Sequence, residues 1–200
     1  FYMFRHELGK AEKEFEKLIG KFELMENFGD NFDGLHKNNK ESVFEVQFSG
    51  NMESDQAEYN VISLHLAPFN AFDGGYEEAY PSDWLFEVMK TDKTTEGKYS
   101  DRLLKTIIFD DPDCHTAYYA DGYSFKDYHS AGEIFWNKFV TWDPSLSSDW
   151  YISAFNIPIV RYADVLLLYA ECLNDRGATK DAIGYINQVR DRVHVPALPE

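Results

Sequence analysis

The chain has 200 residues, of which 44% are hydrophobic, so it can bury a sizeable core and is not mainly disordered. Its formal net charge is −16, which argues against nucleic acid, because a phosphate backbone has to be neutralised by Lys and Arg. The same balance disfavours a polybasic contact with anionic lipid, and no apolar run approaches the ~20 residues needed to span a bilayer. Phe1 is not a natural start, so we expect the chain to be part of a longer one.

Residues 1–26 are predicted to be helical. Their apolar residues recur every three or four positions, which places them on one face of a helix, and Lys and Glu fill most of the other positions. A helix with such a stripe has to pack against another element. The stripe consists of Phe4, Leu8, Ala11, Phe15, Leu18 and Phe22.

Residues 41–49 have the alternation of a β-strand. Apolar Phe44, Val46 and Phe48 alternate with polar residues such as Glu45. The pattern predicts a strand that is buried on one face.

Residues 50–150 form a loop-rich region that is crowded with aromatic residues. A short helix is predicted over residues 81–91, where Pro-Ser-Asp precedes several apolar residues, and residues 103–109 fit a second strand. Trp84 and Trp136 lie in patterned stretches and are interpreted as core residues. A loop region of this length in a compact domain is usually functional.

Residues 157–194 are predicted to form two antiparallel helices, each with one apolar stripe. Gly177 suits the left-handed turn that ends the first helix, Thr179 is expected to cap the second, and Pro196 to stop it. A hairpin of about 35 residues has the size of one tetratricopeptide-like unit and needs neighbours to cover its faces. Cys172 lies within the first helix and is interpreted as a buried, unreactive thiol. The stripes are Ala163, Leu166, Leu167, Ala170 and Leu173 in the first helix and Ala182, Ile183, Ile186, Val189 and Val193 in the second.

Patterns for catalysis or metal binding are incomplete. His6 and Glu7 begin a zincin-like pattern, but Lys10 occupies the position of the second ligand. A calcium loop around Asp33 would need carboxylates at its first and twelfth positions, where the chain has Gly and Lys. With 35 Asp and Glu residues, the sequence cannot nominate a pair of glycosidase carboxylates. We therefore predict no catalytic residue, no metal and no cofactor.

Residues 156–171 and 182–190 resemble the SusD/RagB family, the outer-membrane nutrient-binding lipoproteins of Bacteroidetes. The family's hallmark runs approximately Pro-x-x-Arg-Tyr-Ala-Glu/Asp-Val-x-Leu-x-Tyr-Ala-Glu, a Gly turn and then Ile-Asn-x-Val-Arg. The chain has nearly all of it, as Pro-Ile-Val-Arg-Tyr-Ala-Asp-Val-Leu-Leu-Leu-Tyr-Ala-Glu from Pro158 and Ile-Asn-Gln-Val-Arg from Ile186. Weaker resemblances follow in the family's order at residues 11–25, 40–48, 81–85 and 100–102.

The resemblance implies a mainly α fold with tetratricopeptide-like helical hairpins, long irregular loops and one or two short β-strands, with residues 1–200 forming part of a single domain. It implies a non-catalytic protein on the extracellular face of the cell outer membrane. That protein would capture oligosaccharide or polysaccharide and deliver it to a SusC-like TonB-dependent transporter. Its membrane contact would be an N-terminal lipid anchor that lies outside this sequence.

Two other functions remain open. Helical hairpins are common protein-docking surfaces, so a helical-repeat scaffold that binds protein without glycan is the main alternative. A glycoside hydrolase is the other. Polysaccharide binding would favour glycan capture, and capture of a peptide would favour the protein-binding scaffold. Release of reducing sugar would favour the hydrolase.

The polar residues of the hallmark are expected to be structural, because a charge on a helical face beside apolar neighbours usually serves packing. We expect them to fix the hairpin through buried ion pairs and hydrogen bonds. They are Arg161, Asp164, Tyr169, Glu171, Asn187 and Arg190.

Sugar binding has different requirements. A pyranose ring presents an apolar C–H face that stacks on a flat aromatic ring, and its hydroxyl groups need polar side chains nearby. Such groups belong on loops held by a rigid scaffold. The candidates are Asn70, Phe72, Asp73 and Tyr76, then Tyr118, Tyr119, Asp121 and Tyr123, and finally Trp142, Trp150 and Tyr151.

Overall fold

The computed structural model describes residues 1–49, 60–69, 75–114, 124–140, 147–148 and 152–199. Within these ranges the α-helices are α1 (Leu8–Glu16), α2 (Ile62–Leu66), α3 (Asp83–Lys90), α4 (Asp101–Leu104), α5 (Phe125–Tyr128), α6 (Tyr162–Asp175) and α7 (Thr179–Asp191). The strands are β1 (Ser42–Val46), β2 (Ile107–Ile108), β3 (Phe135–Trp136), β4 (Ser147–Ser148), β5 (Ile152–Ser153) and β6 (Ile157–Arg161). β1 pairs with β6, β2 with β3 and β4 with β5, each time antiparallel.

The mainly α fold class is confirmed, with more short strands than the one or two expected. Of the helices described, none combines the length and the apolar character that crossing a membrane would require.

The C-terminal helical hairpin consists of α6 and α7, joined by a turn in which Gly177 has the left-handed φ of +86°. Residues 157–161, which the sequence pattern assigned to the hairpin, form strand β6 instead. Thr179 does not cap α7: Ala178 is the capping position, and the Thr179 hydroxyl donates to Asn174 Oδ1 at 3.0 Å. The hydroxyl therefore ties the two helices together across the turn.

The first core lies where the hairpin meets α1. Leu166 is fully buried at its centre, whereas Leu167, expected in the same stripe, is exposed on the outer side of α6. The inward positions of α6 are spaced by three and four residues from Tyr162 onward, which leaves Leu167 off that face. Side chains from α1 and the turn after it that pack on this core are Phe15, Leu18, Ile19 and Phe22.

Helix α1 is shorter than the predicted helix over residues 1–26. His6 and Gly20 both have a left-handed φ, of +55° and +76°, which is incompatible with a right-handed helix. Phe4 consequently lies outside α1 and is 91% exposed, although the stripe placed it on the buried face. Ala11, near the middle of α1, is buried.

Strand β1 presents its faces differently from the predicted pattern. Phe44 and Val46 are exposed, and Glu45 is half-buried. Glu45 Oε1 accepts a hydrogen bond of 2.6 Å from Asn156 Nδ2, and its Oε2 accepts one of 2.8 Å from the Ser42 hydroxyl. Burial raises the pKa of Glu45, but these hydrogen bonds outweigh it and the pKa is lowered. The inner face of β1 thus carries Val43, which packs on the first core, and the polar network of Glu45, whereas the alternation assigned that face to Phe44 and Val46.

The second core lies in the loop-rich region. The β2–β3 ribbon brings Ile108 opposite Phe135, and α4 contributes Leu103, all of them buried. Residues 103–109 are therefore only partly a strand, because α4 occupies their beginning. Trp136 is half-buried against this core.

Candidate ligand-binding surface

Among the ligand-binding candidates predicted from the sequence, the structure describes Tyr76. Its ring is exposed and lies 6.0 Å from the imidazole of His65, in an edge-to-face arrangement. The other candidates, whose role stays a prediction, lie outside the described residues. They are Asn70, Phe72, Asp73, Tyr118, Tyr119, Asp121, Tyr123, Trp142, Trp150 and Tyr151.

Tyr76 projects from two chain segments that run against each other, residues 64–69 and 75–78, which we call the loop clamp. Tyr76 and Glu78 donate main-chain hydrogen bonds of 2.8 and 2.9 Å to the opposite segment. His65 Nδ1 also pairs with Glu78 Oε2 at 2.5 Å. These contacts therefore hold the main chain at and after Tyr76 against residues 64–69.

Tyr80 is a second exposed ring. Its hydroxyl donates to Glu77 Oε2 at 3.1 Å, and its ring lies 5.9 Å from that of Phe135 in the second core. Reduced contact with water and the bond to Glu77 raise the pKa of Tyr80. Beneath it, the Phe135 ring lies 4.5 Å from that of His129, tilted by 45°, and burial lowers the pKa of His129. Tyr80 thus has a neutral hydroxyl group and an accessible ring that lies over the apolar side chain of Phe135.

Trp84 is a third exposed ring, and its interpretation as a core residue is wrong. It is 73% exposed in the first turn of α3, where Ser82 Oγ accepts a hydrogen bond of 3.2 Å from Leu85 N–H and fixes the start of the helix. Phe86 and Met89 pack on the second core, so Trp84 lies on the other side of α3. Helical spacing places Trp84 opposite Phe86, but it does not by itself show which of the two sides is buried.

Tyr76, Tyr80 and Trp84 are exposed and close to one another in sequence, and we call the three rings the aromatic surface. Flat rings offer apolar faces, and neighbouring carboxylates accept hydrogen bonds from hydroxyl groups. The combination suits a ligand that is apolar on its ring faces and rich in hydroxyl groups at its edges. The carboxylates in or beside this stretch are those of Glu77, Glu78, Asp83 and Glu87.

A buried carboxylate, missed by the sequence analysis, holds together the elements around the first core, namely α1, β1, β6, α6 and α7, which we call the framework. Glu41 is fully buried and accepts hydrogen bonds from Arg161 at 2.9 Å and from Arg192 at 2.6 Å. It also accepts from Met25 N–H at 2.8 Å and from Asn31 Nδ2 at 3.1 Å. One side chain therefore connects β1, β6, the end of α7 and the chain after α1. Nothing in the local pattern of residues 41–49 distinguishes Glu41 from a solvent-facing acid.

A lysine lies close to this carboxylate without an ion pair of its own among the described contacts. Lys138 Nζ is 3.7 Å from the centroid of the Phe32 ring, a cation–π contact. Burial lowers the pKa of Lys138 to about 8, and the charges of Arg161 and Arg192 act in the same direction. Three cationic side chains, of Arg161, Arg192 and Lys138, thus lie around Glu41.

The hallmark residues take different positions. Arg161 pairs with Glu41 and also lies 3.6 Å from Asp164, whose Oδ2 accepts the Arg161 N–H at the start of α6. Tyr169 is buried with its ring 5.0 Å from that of Tyr185, which links α6 to α7.

The remaining hallmark residues lie away from the interface between the two helices. Asn187 exchanges two hydrogen bonds, of 3.1 and 2.7 Å, with the main chain of Leu198. Arg190 Nε donates to Pro196 O at 2.8 Å, so both side chains hold the segment after α7. Glu171 is exposed, contrary to the expected burial.

Three potential metal ligands converge in and just after the 3-10 turn at Phe28–Asn31. Asp30, Asp33 and His36 bring ligand atoms within 4.8 Å of one another, a grouping found nowhere else among the described residues. His36 Nδ1 lies 2.7 Å from Asp33 Oδ2, and this hydrogen bond raises the pKa of His36. Asp33 Oδ1 also accepts a hydrogen bond of 2.8 Å from the Leu35 N–H, which helps to hold this turn.

The class of protein is defined by its architecture. A tetratricopeptide-like helical hairpin is combined with a loop-rich region that has exposed aromatic rings. The model of the SusD family matches residues 40–200. The chain therefore belongs to the SusD family.

Solved structures have the same fold. A SusD superfamily protein from Bacteroides vulgatus ATCC 8482 is 26% identical, with a TM-score of 0.83 over 99% of this chain and 42% of its own. Surface glycan-binding protein A from Bacteroides thetaiotaomicron, in complex with laminarihexaose, is 21% identical, with a TM-score of 0.71 over 99% of this chain and 46% of its own. The same-named protein from Bacteroides uniformis is 18% identical, with a TM-score of 0.71 over 98% and 41%.

The chain thus spans less than half the length of these structures. Among curated proteins, no sequence matches it.

Proposed function

We propose that the protein captures oligosaccharide or polysaccharide at the cell surface, without chemical change, and delivers it to a SusC-like TonB-dependent transporter. The observation that carries this proposal is the aromatic surface, three exposed rings beside several carboxylates in a member of the SusD family. The laminarihexaose complex of a protein with the same fold supports a glycan ligand. A lipid anchor outside this sequence would place the protein on the outer face of the outer membrane.

Two carboxylates of the aromatic surface, those of Glu77 and Glu78, are committed to structural partners, which supports binding without catalysis. Glu77 binds the Phe69 N–H at 2.7 Å and the Tyr80 hydroxyl at 3.1 Å, and Glu78 pairs with His65. A glycosidase needs one carboxyl group to give up a proton and another to attack or to activate water. Glu77 would lose its hold on both partners in either role.

The binding test uses affinity gels and calorimetry with laminarin, starch, xylan and pectin. We expect at least one polysaccharide to bind, and Trp84→Ala to weaken that binding about tenfold or more without lowering Tm, because an aromatic anchor is lost while packing is unchanged. Phe4→Ala is the matched control, since Phe4 is an exposed ring outside the surface. Undiminished binding by Trp84→Ala, Tyr80→Ala and Tyr76→Ala would refute the assignment, and release of reducing sugar would favour an enzyme.

The alternative of a scaffold that binds only protein has one observation in its favour. Leu167 and Leu168 are exposed on the outer side of α6. On that reading Leu167→Ala would weaken capture of a protein partner, and none of the polysaccharides would retard the chain.

A further inference from the structure

The loop clamp closes on a glycine that has no room for a side chain. Gly75 is buried, and a Cβ atom added to it would overlap the carbonyl group of Ala67 and come within 2.6 Å of Pro68 O. Ala67 and Pro68 cannot move aside, because both are almost fully buried and Ala67 belongs to the second core. The two segments of the clamp can therefore lie this close only when position 75 is Gly.

The segment that contains Gly75 also contains a strained residue. Glu77 has a φ of +50°, a left-handed conformation that residues with a side chain rarely adopt. Its N–H donates to Ala67 O at 3.2 Å, and its carboxylate accepts from the Phe69 N–H at 2.7 Å and the Tyr80 hydroxyl at 3.1 Å. Such strain persists only where the surroundings fix it, and it is concentrated at ligand sites.

Gly75 and Glu77 each influence the position of one exposed ring. Gly75 directly precedes Tyr76, so the spacing it permits between the segments sets the point at which the Tyr76 ring leaves the main chain. The hydrogen bond of 2.8 Å from Tyr76 N–H to Leu64 O depends on the same spacing. Glu77 in turn holds the Tyr80 hydroxyl. The clamp therefore connects the main chain of the second core to two rings of the aromatic surface.

We infer that Gly75 and Glu77 are positioning residues for glycan binding: they fix the directions of Tyr76 and Tyr80 and do not contact the sugar themselves. The inference rests on the proposed function. Rings that are already oriented lose little conformational freedom when a rigid pyranose stacks on them, so the clamp raises affinity by preorganisation.

The decisive variant is Glu77→Gly, because glycine relaxes the left-handed backbone while it removes the carboxylate. We expect a Tm at or above that of the wild type, together with a loss of affinity of about fivefold or more for the polysaccharide that the wild type binds best in the gels. Glu77→Gln keeps an acceptor oxygen and should bind within about twofold of the wild type.

Gly75→Ala tests the second positioning residue, and a control variant shows whether replacing any glycine has the same effect on binding. Gly75→Ala should weaken binding by about fivefold or more, since the clamp has to open. Gly184→Ala is its control, because a Cβ atom added there meets no atom within 4 Å. It should bind like the wild type.

The outcomes distinguish a failure of the proposed function from a failure of this inference alone. If the wild type binds none of the four polysaccharides, the proposed function falls and this inference with it. If the wild type binds and Glu77→Gly binds equally well, only the inference is overturned. A drop in Tm of Glu77→Gly that accompanies the loss of affinity, or an equal loss in Glu77→Gln, would also overturn it, because the role would then be structural or depend on charge.

Discussion

The framework and the loop-rich region are held together in different ways. In the framework, α1, β1, β6, α6 and α7 surround a core of helical stripes and a fully buried carboxylate, Glu41. In the loop-rich region, short helices and a two-stranded ribbon meet through close main-chain contacts such as that at Gly75. The rings of the aromatic surface lie in the second region. Substitutions should therefore reduce stability most strongly in the framework and ligand binding most strongly on the aromatic surface.

The largest expected effect is that of Glu41→Ala. Removing this carboxylate leaves Arg161 and Arg192 buried without their partner, which should lower the free energy of unfolding by about 3–5 kcal/mol. Urea unfolding of the protein followed by circular dichroism measures it. A loss below about 1 kcal/mol, the value of an exposed ion pair, would show that Glu41 does not hold the framework together.

A pair of adjacent leucines gives the next largest effect. Leu166 is fully buried and Leu167 is exposed. Leu166→Ala should cost about 2–5 kcal/mol through lost burial and a cavity, whereas Leu167→Ala should change the free energy of unfolding by no more than about 0.5 kcal/mol. Equal losses in the same urea titration would contradict the orientation of α6.

The pH dependence of stability provides a smaller effect, at Lys138. Burial lowers its pKa from 10.5 to about 8, with Arg161 and Arg192 adding to the shift and Asp164 and Glu41 opposing it. Between these two pKa values the folded chain binds fewer protons than the unfolded chain, so the contribution of Lys138 to stability rises with pH. We expect the wild type to gain stability relative to Lys138→Met from about pH 7.5 to 9.5.

Lys126→Met is the control for this experiment, because Lys126 is an exposed lysine that pairs with Asp110 at the surface. Its unfolding free energy should run parallel to that of the wild type over the same pH range. A parallel curve for Lys138→Met as well would show that Lys138 titrates like a surface lysine.

The smallest effect concerns a thiol in the second core. Burial raises the pKa of Cys114 to about 12, and its sulfur lies 3.3 Å from Ile107 O and 3.4 Å from Phe109 N. Because the thiolate is the reactive form, iodoacetamide at about pH 8 should leave native Cys114 unlabelled and label it in urea. Labelling of the native protein at the rate seen in urea would show that the second core opens readily.

The hairpin could be predicted because helical periodicity is a local property. The spacing of apolar residues in α6 and α7, with Gly177 between them, is sufficient to indicate two packed helices. The same reasoning failed for β1, because the partner that draws Glu45 inward is Asn156, 111 residues away in sequence. It also extended α1 too far, because no pattern of apolar residues shows that His6 is left-handed.

The aromatic surface was harder to predict. Chemistry alone nominated Tyr76, since a ring beside Asn, Asp and Gly in a loop is a plausible ligand group. Trp84 was assigned to the core because it lies in a patterned stretch. Helix α3 has large apolar residues on both sides, however, and the choice between the sides depends on the second core. The dependence of the clamp on Gly75 comes from its contact with Ala67, which no local pattern contains.

The position of α1 has a consequence for the synthesis of the protein. Its apolar side is covered by α6, which begins about 150 residues later in the chain. At about 5–20 residues per second, a ribosome needs on the order of ten seconds to supply that cover. During this interval the nascent chain carries an uncovered amphipathic helix, the kind of segment that chaperones recognise.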